Sequence, residues 1–146
     1  MEIVINKCHG GFGLSAKAVA RLAELQGKRA YFFTPDRTIG KMFDSPPIPI
    51  TVEQADDKET AVLGMFYAFD IPTPPSHDEW GKHAIETGRQ LDRSDPLLVQ
   101  VVRELGGAAN GRYAELEIVE IPDGVSWELD EYDGVETIHE VHRSWG

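Results

Sequence analysis

The segment with the residue types best suited to bind an anion lies near the start of the chain. It reads Lys7-Cys8-His9-Gly10-Gly11-Phe12-Gly13-Leu14-Ser15 and connects a predicted strand to a predicted helix. The dipole and free N–H groups of a helix N-terminus favour an anion, and glycine lets a phosphate approach the backbone. The alternative is a structural turn in which the glycines only permit positive φ. The residues assigned to this predicted site are Lys7, His9, Gly10, Gly11, Gly13 and Ser15.

This loop matches neither of the two common phosphate-binding motifs. It lacks the Gly-Lys-Ser/Thr ending of a Walker sequence and the Gly-x-Gly-x-x-Gly spacing of a dinucleotide-binding turn. The predicted ligand is therefore a phosphate-bearing or nucleotide-type molecule of no more specific class.

Three arginines could add positive charge to the same site, namely Arg89, Arg93 and Arg143. Arg89 and Arg93 are four residues apart and would share one side of a helix. The planar guanidinium of arginine is suited to bidentate contacts with phosphate. In the alternative interpretation, Arg93 pairs with a nearby acid and Asp95 only caps the next helix.

An acidic β-hairpin is predicted near the C-terminus, with Asp133-Gly134 as its two-residue turn. This turn places Glu131 opposite Glu136, and two facing carboxylates repel unless a positive group lies between them. That group could be a metal, a partner's Lys or Arg, or Arg143; alternatively, both side chains extend into solvent. The carboxylates assigned to a predicted partner-binding surface are Glu128, Asp130, Glu131, Asp133, Glu136 and Glu140.

No residue pattern supports catalysis or a bound metal, so we predict neither catalytic residues nor cofactors. His139 and His142 would point to opposite faces of a strand. Cys8 is the single cysteine, and its neighbour His9 would point away from it on a strand. A binding protein is therefore favoured over an enzyme.

The charge distribution limits the classes of partner. The net charge is −11 over 146 residues. Residues 1–43 contain seven Lys/Arg and three Asp/Glu. Residues 115–146 contain one Lys/Arg and ten Asp/Glu. A surface that binds duplex nucleic acid requires a basic patch, so we do not expect that function. No apolar run is long enough to cross a bilayer and no signal peptide is evident, which predicts a cytoplasmic protein without membrane contact.

The strands and helices predicted around these residues indicate one α+β domain spanning 1–146. A strand at 2–8, a helix from Ser15 and a strand at 29–34 form a strand-helix-strand unit, for which a right-handed crossover predicts parallel strands. A short strand at 48–52 and helices around 62–69, from Ser76 and from Asp95 follow. Strands at 113–121, 125–129 and 136–143 complete an antiparallel meander. We expect one mixed sheet, with the helices mainly on one face.

Both ends of the chain resemble a group of small uncharacterised bacteriophage and prophage proteins. The similar stretches are Ile3 to Ser15, Arg93, Asp95-Pro96, Ile118 to Asp123, Trp127, Glu131 to Gly134, Glu136, Glu140, His142-Arg143 and Trp145. The segment of about residues 35–88 lies outside the resemblance, which is consistent with an insertion into the domain.

The resemblance implies a phage context, in which small proteins without enzyme motifs often counter host defence. The predicted function is then an anti-defence protein that binds a nucleotide-type or phosphate-bearing ligand, for example by sequestering an immune signalling nucleotide. The alternative is an acidic inhibitor or DNA mimic that acts on a host protein. Trp145, close to the C-terminus, is compatible with docking against the body of the fold or against a second subunit of a homo-oligomer.

Overall fold

The computed structural model describes residues 1–34, 48–57, 66–70 and 90–141. The chain divides into two compact units. The first consists of Met1–Leu14 together with Gly88–Gly146, and the second is Ser15–Thr87, inserted between those two parts. None of the described helices is long and apolar enough to cross a membrane.

Seven strands, three α-helices and one short 3-10 helix are described. In chain order they are β1 (Glu2–Asn6), α1 (Ala16–Leu25), β2 (Ala30–Thr34), β3 (Ile48–Ile50), α2 (Val52–Asp56), β4 (Phe66–Phe69), α3 (Pro96–Leu105), the 3-10 helix (Gly106–Ala109), β5 (Leu116–Glu120), β6 (Trp127–Tyr132) and β7 (Val135–Glu140). Of these, β1, α3, the 3-10 helix and β5 to β7 belong to the first unit.

In the first unit, β1 and β5 form an antiparallel pair on which α3 packs. The register runs from Glu2 opposite Glu120 to Asn6 opposite Leu116. The side chains of β1 are almost entirely buried from Ile3 onwards. Burying an aliphatic side chain of this size contributes roughly 1.5–3 kcal/mol, so β1 is a central element of this core.

Helix α3 has a capped start and an amphipathic surface. The Asp95 side chain accepts a hydrogen bond of 2.9 Å from the N–H of Leu97, and Pro96 occupies the first turn. Both residues favour a helix start, since Asp satisfies a free N–H and Pro has none to satisfy. The buried residues Leu98, Val99, Val101 and Val102 form its inner face.

The C-terminal hairpin pairs β6 with β7 through the predicted two-residue turn. Asp133 has φ 50° and Gly134 has φ 88°, as a type I′ turn requires. Leu129 lies opposite Ile138 and Glu131 opposite Glu136. The register predicted from Asp133-Gly134 is thus confirmed.

In the second unit, β2 is the central strand of three, with β3 and β4 antiparallel on either side. Helix α1 packs on β2 and on α2. Ser15 caps α1 as predicted, and its Oγ accepts a hydrogen bond from the N–H of Ala18. Helix α2 begins with a capping box formed by Thr51 and Gln54.

The mixed α+β class is confirmed, but several finer predictions are not. The described strands form three separate antiparallel groups, so a single mixed sheet is not confirmed. The strand-helix-strand unit with parallel strands is not confirmed either, because β3 and β4 occupy both edges of β2 while β1 pairs with β5. For the same reason β5 does not continue into a meander with β6.

The helix predicted around residues 62–69 is also incorrect where the structure describes it, since Phe66–Phe69 is β4. Three of these four residues are aromatic, which favours a strand, and β2 offers an open edge beside them. The helix predicted from Ser76 lies outside the described residues.

Candidate functional site

The glycine-rich loop in the first unit is held by close backbone packing. A Cβ atom at Gly10 would overlap the Tyr113 carbonyl, and one at Gly134 would overlap the His9 carbonyl. The N–H of Gly111 donates a hydrogen bond of 2.9 Å to the Gly13 carbonyl. Gly10 and Gly134 admit no side chain without a shift of the backbone. Within the loop only Gly11 has a positive φ, of 89°, so the structural-turn interpretation agrees with that glycine and not with Gly10 or Gly13.

The N-terminus of α1, where the sequence predicts a phosphate, holds a carboxylate of the same unit. Asp56 accepts hydrogen bonds from the N–H groups of Ala16 and Lys17, at 2.6 and 3.1 Å. Ser15 satisfies the next two N–H groups through its side chain and its carbonyl. The free donors that a phosphate would require are thus already bonded within the chain.

Arg93 and Glu136 form a buried bidentate ion pair. The Nη1–Oε1 and Nη2–Oε2 distances are 2.6 and 2.9 Å, and the side chains are 4% and 1% exposed. The guanidinium carbon lies 3.5 Å from the centre of the Phe12 ring, a cation–π contact. Arg93 therefore does not present its guanidinium to a ligand in solvent, and Glu136 is not part of an exposed acidic surface.

The positive group next to Glu136 is thus Arg93, which the sequence pattern assigns to the anion site. It is neither a metal nor a partner's side chain. Glu131, on the opposite strand, accepts a hydrogen bond of 2.9 Å from the N–H of Gly134. Each of the two facing glutamates therefore accepts a hydrogen bond from a donor of its own.

Asn6 connects the glycine-rich loop, β5 and the hairpin. Its Nδ2 donates to the carbonyls of Cys8 and Gly134, both at 2.7 Å. Its Oδ1 accepts from the N–H of Glu115 at 2.8 Å, and its own N–H donates to Glu136 at 2.7 Å. A fully buried amide with every hydrogen bond satisfied fixes the relative position of these backbone segments.

One face of the hairpin is exposed and carries acidic and aromatic groups. Side chains at alternate positions share a face, so Glu128, Asp130 and Tyr132 lie together on β6. Their cross-strand neighbour His139 lies 3.0 Å from Glu128 and 3.3 Å from Asp130. Tyr132 is 84% exposed, which is unusual for a large aromatic residue. We call the residues Glu128, Asp130, Tyr132, Val135, Thr137 and His139 the hairpin face.

A cavity of about 820 Å³ lies between the hairpin face and the start of the glycine-rich loop. Its lining residues are Lys7, His9, Asp130, Glu131, Tyr132, Val135 and Thr137. His9 also contacts the turn, with its Nδ1 3.2 Å from the carbonyl oxygen of Asp133. Two residues of the predicted anion site, Lys7 and His9, therefore line the cavity with two carboxylates of the predicted partner-binding surface, Asp130 and Glu131. The carboxylate of a third, Asp133, lies 3.5 Å from Nδ1 of His9.

The remaining predicted site residues have separate positions. Glu140 is exposed at the end of β7, and Ser15 caps α1. Arg89 and Arg143 lie outside the described residues. Among the parts of the chain that the structure describes, no group of three or more His, Cys, Asp or Glu residues is arranged to hold a metal ion.

Three residues that contribute to these arrangements are not identified by sequence analysis. Asn6 and Phe12 support the buried pair, and Asp56 fills the end of α1. Asp56 is the last residue of α2, whose start is marked by the Thr51 and Gln54 capping box, but no local pattern indicates its contact with α1. Comparison of the chain with protein families, with curated proteins and with solved structures gives no match.

Proposed function

We propose that the protein binds a basic surface of a partner protein through the hairpin face. The observation that supports this most directly is an exposed aromatic ring between carboxylates. Tyr132 is 84% exposed, and the Glu128 and Asp130 side chains on the same strand face are 58% and 69% exposed. Tyrosine is enriched among the residues that dominate binding energy at interfaces.

The surrounding charge favours a basic partner. Residues 115–141 contain ten Asp/Glu and no Lys or Arg. Nine of the ten carboxylates are exposed, and Glu136 is the buried one. A surface whose charges have one sign associates faster with a surface of the opposite charge, and it repels partners of the same charge.

The hairpin is also fixed before it meets a partner. Its turn is tied to β1 by Asn6, and β7 is tied to Arg93 by Glu136. A preorganised surface loses less conformational entropy on binding than a flexible one. In the phage context that the resemblance implies, the partner would be a host protein, blocked at a site that normally contacts an acidic molecule.

The test uses a lysine-rich peptide of twelve residues as a defined basic probe, measured by calorimetry with the full chain. Glu128→Gln/Asp130→Asn should bind it about 3–10-fold more weakly than the native chain, since each exposed ion pair contributes about 0.2–1 kcal/mol. The matched control is Glu24→Gln/Glu53→Gln, which removes two exposed carboxylates elsewhere. Equal binding by both double variants would reject the hairpin face as the docking site.

A second candidate function is the binding of a nucleotide-type ligand, and the cavity of about 820 Å³ favours it. Lys7 and His9 could contact a phosphate on one wall, while a base stacks on Tyr132 opposite. A thermal-shift screen against linear and cyclic nucleotides tests this. Ligand at about 100 times its dissociation constant stabilises the fold by about 2.7 kcal/mol. The shift should be lost in Lys7→Gln and retained in Lys17→Gln, an exposed lysine of α1.

A further inference from the structure

The outer edge of β5 has main-chain groups that the described residues leave open. The β1–β5 ladder is extended by hydrogen bonds from Lys7 N to Glu115 O and from Ile121 N to Met1 O, at 2.8 and 2.9 Å. In an antiparallel pair, alternate residues exchange hydrogen bonds with the partner strand. The odd-numbered residues of β5 therefore face β1, and the N–H groups of Leu116, Ile118 and Glu120 point to the other side.

Neighbouring contacts agree with this alternation. On the outer side of β1, Val4 N donates to the Arg93 carbonyl and Asn6 N to Glu136, so that edge is closed. On the outer side of β5, Leu116 N donates to the Asn110 side chain at 2.8 Å. The outward-facing main-chain groups of Ile118 and Glu120 have no hydrogen-bond partner among the residues that the structure describes.

The charge at this edge determines which strand could add to it. Glu115, Glu117 and Glu120 are exposed along the strand. A second copy of β5 would bring like charges close together, which opposes self-pairing. Acidic residues on an edge strand also deter nonspecific association. An extended segment with Lys or Arg at the positions opposite these glutamates removes that repulsion and satisfies the open main-chain groups.

We propose that β5 accepts an additional strand from an extended, basic segment of a partner protein. Main-chain pairing at Ile118 and Glu120 supplies the affinity, and the glutamates select for Lys or Arg, as in other cases of strand addition. The proposal rests on the proposed function for the charge of the partner. It concerns a different surface, because β5 pairs with β1 and not with the hairpin.

The first test is amide hydrogen exchange on the isotope-labelled full chain, with an alternating Lys-Thr octapeptide as the probe. In the free protein, the amides of Glu117 and Val119 should be protected, and those of Ile118 and Glu120 should exchange quickly. Saturating peptide should slow exchange at Ile118 and Glu120 by at least about tenfold. Binding without that protection, or no binding at all, would overturn the proposal. Protection of both amides in the free chain would show that a second copy or another segment already occupies the edge, and would overturn it too.

A pair of substitutions separates main-chain pairing from charge. Glu120→Ala removes only the carboxylate, whereas Glu120→Pro also removes an N–H that points away from β1. Proline is tolerated on an edge strand when its missing N–H faces outward, so both variants should keep the β1–β5 ladder. The alanine variant should lose a few-fold in affinity for the octapeptide, and the proline variant should lose binding at this edge. Should both variants bind equally, strand addition is rejected.

A measurement on the native chain gives a result that does not depend on whether the proline variant folds. An octapeptide N-methylated at the positions that would donate to β5 has the same charge but cannot pair, and it should not bind this edge. Loss of octapeptide binding in Glu128→Gln/Asp130→Asn, with Glu120→Pro unaffected, rejects strand addition and retains the hairpin face. The reverse result supports strand addition at β5, and the twelve-residue peptide then decides the hairpin face by itself.

Discussion

Arg93 and Glu136 are joined by two parallel hydrogen bonds in the core of the first unit, although 43 residues separate them in sequence. The pair also holds β1, because Glu136 accepts from the N–H of Asn6 and the Arg93 carbonyl accepts from the N–H of Val4. Phe12 covers the guanidinium. Two charges are thus enclosed together with the strand that begins the chain, and neither can leave without exposing the other.

Breaking this pair on one side should be costly. We expect Glu136→Gln to destabilise the protein by about 3–5 kcal/mol, because the Arg93 guanidinium remains buried without a counter-charge. Arg93→Met/Glu136→Gln removes that charge and keeps an acceptor for the N–H of Asn6, so it should recover much of the loss. The free energy of unfolding in urea measures both. The pairing is contradicted if the double variant loses as much stability as Glu136→Gln and Arg93→Met lose together when each is made alone.

Two glycines with similar backbone conformations should respond differently to alanine. Gly124 and Gly134 have φ values of 77° and 88°, but only Gly134 lies against another backbone segment, at His9. Gly124→Ala should cost about 1–2 kcal/mol from the left-handed conformation alone. Gly134→Ala should cost a further 1–3 kcal/mol or so, because the new methyl group overlaps the His9 carbonyl. Thermal unfolding of both variants tests this, and equal losses would argue against the close approach.

Asp56 should act as the helix cap of α1 from outside the helix. Asp56→Ala removes the acceptor for two N–H groups and the negative charge at the helix N-terminus. We expect a loss of about 1–2 kcal/mol, in the range measured for helix caps. Asp130→Asn provides a control with the same change of charge at an exposed strand position. Unfolding free energies that are equal for the two variants would refute the capping role.

One carboxylate should give a pH dependence at the acid end. Asp123 accepts a hydrogen bond of 2.7 Å from the Met1 ammonium group, which lowers the pKa of Asp123 below its usual 3.8. Since the folded pKa is below the unfolded one, this contact stabilises the fold above about pH 3.8 and is lost as the pH falls through the folded value. An NMR titration of the Asp123 carboxyl carbon measures the shift. Acetylation of the Met1 amine should return the pKa to the ordinary value, and an unchanged pKa would exclude the contact.

The parts of the fold that depend on local signals could be predicted from the sequence. Asp133-Gly134 determines the hairpin and its register because only a few residue pairs adopt a type I′ turn. Ser15 and Asp95-Pro96 mark the starts of α1 and α3 because capping is a contact between near neighbours. The pairing of β1 with β5 has no such signal, since strand composition does not specify which edge a strand joins.

In the candidate site, too, local features could be predicted from the sequence and long-range contacts could not. The kind of group that each described residue binds could be predicted from the sequence, but the contacting residue could not. A helix N-terminus does take an anion, yet the anion is Asp56, 40 residues away from Ala16. Arg93 does bind a carboxylate, yet the carboxylate is Glu136 of the same chain. Long-range neighbours of opposite charge could not be distinguished from a ligand by spacing alone.

The discontinuous first unit has a consequence for synthesis of the protein. Strand β1 leaves the ribosome before its partner β5, which follows about 110 residues later, from Asn6 to Leu116. At about 5–20 residues per second, β1 remains unpaired for roughly 5–20 s. During that time Ile3, Val4 and Ile5 are available to a chaperone, while the intervening Ser15–Thr87 segment is already complete. The side chains of β1 therefore remain without their native partner strand until β5 has been synthesised.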